Sequence, residues 1–213
     1  MILEESVKKE VKNQLETMKE PVTLTVFTQQ FECGFCRETR TLAEETAALS
    51  DLILIEILDF IEHEDRAKSM GIDKIPAIAV SAKEDYSIKF YGIPGGYEFS
   101  SFLEAIRLVS TGNHGLSRNT LDTLKTLSKP VHLKVFVTPT CPYCPRAVIL
   151  AHKMAAASPL VKADMIEATE FPELANKYSV MGVPKTVINE TVFIEGAVPE
   201  SVLLEKILEA VRA

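Results

Sequence analysis

The sequence lacks the features that would direct it to nucleic acid or into a membrane. It has 30 acidic and 23 basic residues, a net charge of −7, and no strong cluster of Lys and Arg. A protein that binds duplex nucleic acid needs a basic face to displace counterions, so we expect no nucleic-acid partner. No apolar run reaches the roughly 18 residues of a membrane-spanning helix, so we expect no membrane partner.

The N-terminus lacks the apolar core of a signal peptide, because charged residues occur throughout Met1–Glu10. We therefore expect a cytoplasmic protein. In that compartment thiols are kept reduced, and the disulfides that do form tend to be transient and catalytic. Residues with side-chain amides are also scarce, with five Asn and three Gln. Because these side chains are thermolabile, their scarcity fits a thermophilic source.

Cysteine is scarce as well, and all four cysteines belong to two CxxC pairs. The pairs are Cys33-Gly-Phe-Cys36 and Cys141-Pro-Tyr-Cys144. The rest of the composition, 46% hydrophobic and 25% charged, is that of an ordinary soluble protein. The length of 213 residues suits two domains of roughly 100 residues each.

The two pairs lie in two copies of one sequence pattern. A short alternating run precedes each pair, Val22–Phe27 or Val131–Phe136, and predicts a strand. A helix-like segment follows each pair, at 37–49 and 146–157, and an apolar run comes next. The offset from Cys33 to Cys141 is 141 − 33 = 108, and the offset from Pro76 to Pro184 is 184 − 76 = 108. A shared order with a shared offset indicates an internal repeat.

The repeat predicts an α/β protein with two tandem units. The turn-rich segment Ser110–Gly115 is the expected junction, which gives units at 1–113 and 114–213. Each unit has the predicted order α-β-α-β-α-β-β-α. Strand–helix–strand passages favour parallel, right-handed crossovers, so each unit should form a mixed central sheet with helices on both faces.

The cysteine pairs admit several kinds of site. A zinc ribbon places its pairs about 15–20 residues apart, so a shared zinc site would require the two units to dock. An iron–sulfur cluster bridging two chains and a packing role for buried cysteines also stay open. No His follows either pair, which excludes covalent haem attachment, and the four His show no ligand spacing with the cysteines. We expect no metal.

The redox interpretation has a direct physical basis. A CxxC between a strand and a helix should place its first cysteine at the helix N-cap, where unpaired N–H groups and the helix dipole stabilise a thiolate. We therefore expect Cys33 and Cys141 to attack, and Cys36 and Cys144 to resolve. Each pair can close a small disulfide ring, so no cofactor beyond the disulfides Cys33–Cys36 and Cys141–Cys144 is expected. Pro142 should be the first helical residue.

A proline precedes a predicted strand in each unit, at Pro76 and Pro184. A proline there either simply begins the strand or forms a cis peptide bond in a tight turn. Its recurrence with the CxxC favours the cis form. The backbones of Ile75 and Val183 would then be free to pair with an extended substrate by strand addition.

Together these motifs resemble the thioredoxin fold, and Cys141-Pro-Tyr-Cys144 is similar to the glutaredoxin active-site sequence. The tandem arrangement resembles the glutaredoxin-like protein disulfide oxidoreductases of hyperthermophiles. The resemblance implies two fused thioredoxin folds, their sheets joined, that reduce, oxidise and isomerise protein disulfides. It also implies protein substrates with thiols or disulfides and an electron donor similar to thioredoxin reductase.

The sequence departs from that pattern at several positions. It has no Trp before either pair, and Phe27 and Val135 stand where thioredoxins carry a buried aspartate. Other carboxylates are therefore needed for proton transfer, and the candidates are Glu45, Glu56 and Glu167, with Glu56 aligned to Glu167. Gly182-Val183 replaces the Thr-Val that glutaredoxins usually show, so a role for glutathione is not implied.

Two functions remain from the sequence. One is an enzyme with two disulfide sites, whose midpoint potentials should differ because Gly34 and Pro142 start the two motifs differently. The other is a redox-linked binding or chaperone module that holds unfolded chains without turnover.

Overall fold

The computed structural model describes residues 2–82 and 87–212. The first half contains α1 Glu5–Leu15, β1 Val22–Thr28, α2 Cys36–Ala47, β2 Ile53–Asp59, α3 Glu64–Met70, β3 Ala77–Ser81, β4 Ile88–Tyr91 and α4 Phe99–Thr111. The second half contains α5 Arg118–Leu124, β5 Val131–Val137, α6 Cys144–Ala157, β6 Val161–Glu167, α7 Pro172–Lys177, β7 Lys185–Ile188, β8 Val192–Glu195 and α8 Glu200–Arg212. The predicted order of elements is thus confirmed in both halves.

All eight strands form one sheet, in the order β2-β1-β3-β4-β6-β5-β7-β8. The two halves meet where β4 pairs with β6 in parallel, with Phe90 opposite Met165. The sheet is mixed, because β3 and β7 run antiparallel to their neighbours while β1–β2 and β5–β6 are parallel pairs. The joined sheet that the resemblance implied is therefore present.

Strand direction places the two cysteine pairs at the same edge of this sheet. The pairings make β1, β2, β4, β5 and β6 run in one direction, so their C-terminal ends lie together. We call this the site edge; it is marked by the strand-end residues Thr28, Asp59, Tyr91, Val137 and Glu167. The antiparallel strands β3 and β7 begin at this edge, each immediately after a proline.

Helices cover both faces of the sheet, as predicted. One face carries the larger core. In it, Leu24 of β1 and Leu133 of β5 pack in one cluster with Phe102 of α4 and Val148 of α6. The other face is covered by α3 and α7, in a smaller core that includes Ala67, Phe27 and Tyr178. Alternate residues of each strand supply the two cores, because successive side chains of a strand point to opposite faces.

The junction between the halves is shorter than the sequence predicts. Helix α4 continues through Thr111 and ends at Gly112, whose φ of +64° suits a glycine at a helix C-terminus. Ser110 and Thr111 are therefore helical, and Ser110 is buried, with its hydroxyl bonded to the backbone of Glu20. The unit boundary at 113/114 stays a prediction. Among residues 2–82 and 87–212, no helix is long and apolar enough to cross a membrane.

Candidate active sites

The first site lies in the loop between β1 and α2. Cys33 and Cys36 form a disulfide with Cα atoms 5.5 Å apart; Cys33 is half-buried and Cys36 is 3% exposed. A cleft of about 400 Å³ opens over this disulfide, and Arg37 and Asp59 contribute to its walls. Cys33 is therefore the more accessible cysteine of this pair.

The second site has the same construction but is more enclosed. Cys141 and Cys144 form a disulfide, also with Cα atoms 5.5 Å apart, and they are 7% and 0% exposed. The backbone N–H of Cys144 donates to the Sγ atom of Cys141 at 3.1 Å. An N–H aimed at this sulfur stabilises negative charge on it, so the more exposed cysteine is again suited to be the nucleophile.

The helices begin later than the sequence predicts. Both α2 and α6 start at the second cysteine, so Phe35 and Tyr143, rather than the first cysteines, are the N-cap residues. The two residues between the cysteines form a turn that ends before the helix begins. Pro145, not Pro142, lies in the first helical turn, where a missing N–H costs little.

Both strand-initiating prolines follow cis peptide bonds, Ile75–Pro76 and Val183–Pro184, as predicted. The carbonyl oxygen of Val183 lies 3.7 Å from the Sγ atom of Cys141. Within the described ranges, neither Ile75 nor Val183 forms a hydrogen bond with another backbone group. A backbone segment without backbone–backbone hydrogen bonds among the described residues thus borders the second disulfide, and its counterpart precedes β3.

Two of the predicted carboxylates lie away from the disulfides. Glu45 accepts hydrogen bonds from the backbone N–H groups of Ile2 and Leu3, at 2.7–3.0 Å, and these bonds hold the pKa of its carboxyl below the usual range. It is nine residues from Cys36 along α2, roughly 13 Å at the helical rise. Glu56 is exposed on β2, with its Oε2 3.5 Å from the Thr25 hydroxyl.

The strand registers correct the predicted alignment of Glu56 with Glu167. Asp59 ends β2 opposite Thr28, and Glu167 ends β6 opposite Val137. The offset 167 − 59 = 108 equals the offset between the cysteine pairs. Asp59 is therefore the counterpart of Glu167, and the sequence alignment was wrong by three positions in this segment.

Glu167 lies at the junction of the two halves, where it is joined by Glu170. The buried Glu167 accepts hydrogen bonds from the Thr169 hydroxyl and from the Glu170 N–H, while Glu170 accepts one from the Ile93 N–H of the first half at 2.7 Å. Burial raises the pKa of Glu170 to about 7. One carboxylate oxygen of each residue is buried with no hydrogen-bond partner among the described residues.

A further buried acid, Glu98, was not singled out by the sequence. It ends a short 3₁₀ helix, Gly96–Glu98, that follows β4, and burial raises its pKa to about 7. One of its oxygens accepts from the Ser101 hydroxyl at 2.5 Å; the other finds no partner in the described part of the chain. The same 3₁₀ helix reaches the second site, because the Tyr97 N–H donates to the carbonyl oxygen of Pro139 at 3.0 Å.

No group of three or more His, Cys, Asp and Glu in residues 2–82 and 87–212 is arranged to hold a metal ion. The two CxxC disulfides can themselves accept and release electrons.

Solved structures with the same architecture support this description. A protein disulfide oxidoreductase from Aeropyrum pernix superposes with a TM-score of 0.93 and 29% identity, over 100% of this chain and 95% of that one. The N-terminal domain of alkylhydroperoxide reductase AhpF from Enterococcus faecalis gives a TM-score of 0.89 with 26% identity, over 96% and 99% of the two chains. The thioredoxin-domain family model matches residues 131–209. The chain therefore has a thioredoxin-like fold in tandem and is similar to these redox proteins.

Curated relatives of this thioredoxin-like chain are longer proteins. An NADH dehydrogenase of Bacillus subtilis is 23% identical over 97% of the chain, and an alkyl hydroperoxide reductase component of Pseudomonas putida is 25% identical over 97%. The chain covers 38% and 37% of their lengths, so it spans little more than a third of each.

Proposed function

We propose that the chain exchanges electrons with protein substrates at both CxxC sites, so that it reduces, oxidises and isomerises their disulfides. The observation that carries this proposal is the surroundings of Cys141. Its sulfur is the more exposed one of the pair, accepts the Cys144 N–H, and lies beside the carbonyl of Val183. A nucleophile, its stabilising donor and a place for a substrate backbone thus occur together.

The reaction balances through a mixed disulfide. In reduction, the Cys141 thiolate attacks one sulfur of a substrate disulfide, and the other substrate sulfur leaves as a thiolate. The Cys144 thiolate then attacks the Sγ atom of Cys141, which releases the second substrate thiol and leaves the Cys141–Cys144 disulfide. Two electrons pass to the substrate. Cys33 and Cys36 take the same roles at the first site, and oxidation is the reverse sequence.

The substrate would lie against Ile75–Pro76 at the first site and Val183–Pro184 at the second. Ile75 and Val183 form no backbone–backbone hydrogen bonds within residues 2–82 and 87–212, which suits pairing with an extended polypeptide by strand addition.

Two buried acids are candidates for proton transfer at the second site. Glu98 belongs to the first half of the chain, and Glu167 lies in the second half at its junction with the first. Glu98 holds a proton near neutral pH because it is buried, and its 3₁₀ helix contacts the loop before Cys141. Glu167 has a buried oxygen without a partner among residues 2–82 and 87–212 and is the second candidate. Glu98, with its pKa near 7, can both donate and accept a proton at physiological pH.

The expected electron donor is a reductase similar to thioredoxin reductase, acting in the cytoplasm. The relative named NADH dehydrogenase supports a donor that draws electrons from NADH. The chain itself needs no cofactor beyond its disulfides for this role.

A trapping experiment tests the proposal. The Cys144→Ser variant should accumulate mixed disulfides with reduced-and-reoxidised ribonuclease A through Cys141, detected on a non-reducing gel and by mass spectrometry. The Cys141→Ser variant is the matched control and should accumulate none at this site. A Cys144→Ser variant that traps nothing, together with wild-type protein that does not speed insulin reduction by dithiothreitol, would leave only the binding module without turnover.

A further inference from the structure

Each cis proline is held by a glycine that lies further along the chain. The Gly92 N–H donates to the carbonyl oxygen of Pro76 at 2.9 Å, and the Gly196 N–H donates to that of Pro184 at 2.8 Å. Both glycines have positive φ angles, +86° and +80°. The two units thus share one backbone arrangement around the cis peptide bond.

The surroundings of the two glycines differ. A Cβ atom on Gly92 would come within 2.7 Å of the Cβ atom of Glu167 and within 2.9 Å of the carboxyl group of Glu170. A Cβ atom on Gly196 would meet no atom of the described residues within 4 Å. Both glutamates belong to the second half of the chain. The second half therefore packs closely against the proline loop of the first site, and no such contact is made at Gly196.

The carboxylate of Glu170 forms the central contact. One of its oxygens accepts a hydrogen bond at 2.7 Å from the N–H of Ile93, the residue after Gly92. The turn that follows β6 sets the position of Glu170, because the Glu167 carboxylate accepts the Glu170 N–H at 2.7 Å and the Thr169 hydroxyl at 2.6 Å. The second half thus presents a fixed acceptor to the backbone that holds the cis proline.

A second contact supports the other end of the same proline loop. Phe171 packs edge-on against the Tyr91 ring, with the ring centroids 6.4 Å apart. The Nζ atom of Lys74 lies 3.8 Å from the centre of the Tyr91 ring, and Lys74 directly precedes Ile75. The loop is therefore held on both sides by residues that the second half contacts. The corresponding position of the second unit, 74 + 108 = 182, is Gly182, which has no side chain to make such a contact.

We propose that Glu170 is a positioning residue for the first site, where it holds the segment Ile75–Pro76 in place for substrate through the backbone of Gly92 and Ile93. This inference rests on the proposed function and assigns part of the first site to the second half. Hydrogen bonds to an ionised carboxylate are roughly twice as strong as those between neutral groups, so loss of this bond should affect the loop that it supports.

Steady-state kinetics of each site in isolation test the proposal. Cys141→Ser/Cys144→Ser isolates the first site, and Cys33→Ser/Cys36→Ser isolates the second. Insulin reduction by dithiothreitol would be measured at pH 8, above the pKa of Glu170, which is about 7. Glu170→Ala should raise the KM for insulin about fivefold at the first site and leave kcat within about twofold, because substrate loses a positioned segment while the thiols are unchanged. At the second site both constants should stay within about twofold of their original values.

Three further variants separate positioning from a general loss of structure. Glu170→Gln keeps an oxygen that can accept the Ile93 N–H and should restore the original KM. Glu170→Asp keeps the charge but is one methylene shorter, so it should raise the first-site KM as Glu170→Ala does, and it gives the answer if Glu170→Ala does not fold. Glu173→Ala is the matched control, since Glu173 is an exposed acid in the first turn of α7 and its loss should change the KM by less than about twofold.

Equal rises in KM at both sites, or an unchanged first-site KM in both Glu170→Ala and Glu170→Asp, would overturn the proposal. The proposed function is scored separately: an isolated first site that reduces no insulin with Glu170 intact contradicts that function there. Iodoacetamide labelling of the reduced protein then decides the role of Glu170. Ile75 is the counterpart of Val183, whose carbonyl oxygen lies beside the Cys141 sulfur. Loosening Ile75 should therefore speed the labelling of Cys33 and not that of Cys141, and identical labelling rates in Glu170→Ala and wild type would contradict the positioning role.

Discussion

The backbone of Gly96, in the first half, lies directly against the carbonyl oxygen of Pro139, two residues before Cys141 in the second half. A Cβ atom on Gly96 would come within 2.2 Å of that oxygen, and the φ angle of +58° also favours glycine. Backbone on both sides leaves little room for adjustment. The loop that leads to the second disulfide is thus positioned partly by the first half of the chain, so the two halves are not independent there.

Gly96→Ala should therefore destabilise the protein more than a glycine substitution at a similar backbone angle without a collision. Gly112→Ala is the matched control, because Gly112 has a φ of +64° and open space around its Cβ position. The control should lower the free energy of unfolding by roughly 1–2 kcal/mol, from the left-handed conformation alone. Gly96→Ala should lower it by at least about 1 kcal/mol more, as overpacking does. Equal values in urea titrations would contradict the close contact.

Alkylation of the reduced protein should separate the attacking from the resolving thiols. Cys33 is half-buried and Cys141 is 7% exposed, whereas Cys36 and Cys144 are 3% and 0% exposed. Iodoacetamide should therefore label Cys33 first, Cys141 next, and the resolving thiols on the order of tenfold more slowly. Timed quenching and peptide mass spectrometry give the four rates. Faster labelling of Cys144 than of Cys141 would contradict the assigned roles.

Glu98→Gln should remove part of the pH dependence of stability. Burial raises the pKa of Glu98 from 4.5 to about 7, so between these values the folded protein holds a proton that the unfolded chain has released. The free energy of unfolding then falls as pH rises through this window. The variant should be more stable than wild type well above pH 7, by up to about 3 kcal/mol, and should show a shallower slope below it.

Urea unfolding at several pH values between 5 and 8 measures this slope. Glu170, whose pKa is also raised to about 7, stays in place and keeps a residual slope of the same sign. Parallel curves for wild type and Glu98→Gln would show that Glu98 does not hold the proton. If Glu98 also transfers protons at the second site, the variant should shift the pH profile of insulin reduction measured in the Cys33→Ser background.

Glu45→Ala should affect stability and leave exchange unchanged. Its carboxylate binds the N–H groups of Ile2 and Leu3, and these contacts hold the N-terminal segment against α2. Their loss should lower the Tm by a few degrees. Insulin reduction at a temperature well below the Tm should be the same as in wild type; a marked loss of turnover would restore Glu45 as a proton-transfer candidate.

Local patterns in the sequence predicted most of the fold. The strands before each CxxC, the helices after it, the prolines that begin β3 and β7, and the helices on both faces follow from alternation, periodicity and the offset of 108. These features are set by residues close in the chain, which is why one sequence is enough to find them. The joining of the two sheets came only as an implication of the resemblance, and the pairing of β4 with β6 that joins them was not predicted, since it links residues about 75 positions apart.

The residues proposed for proton transfer were harder to predict, because burial decides the chemistry of a carboxyl group. Glu98 follows a glycine-rich turn and resembles a surface residue in sequence, yet it is 1% exposed. The correspondence of Asp59 with Glu167 was missed because similar residues precede Phe60 and Phe171. These residues favoured an alignment that the strand registers contradict. The start of α2 and α6 at the second cysteine also depends on a turn that spacing alone does not reveal.

Turnover by single-site variants tests the central claim most directly, namely that both CxxC pairs exchange electrons with protein disulfides. Insulin reduction by dithiothreitol would be followed for wild type, Cys33→Ser, Cys141→Ser and the double variant, with a redox titration of each single variant. Each single variant should retain part of the wild-type rate, with a different midpoint for the remaining disulfide, and the double variant should show only the uncatalysed rate. A double variant as active as wild type, or a wild type no faster than dithiothreitol alone, would contradict the claim.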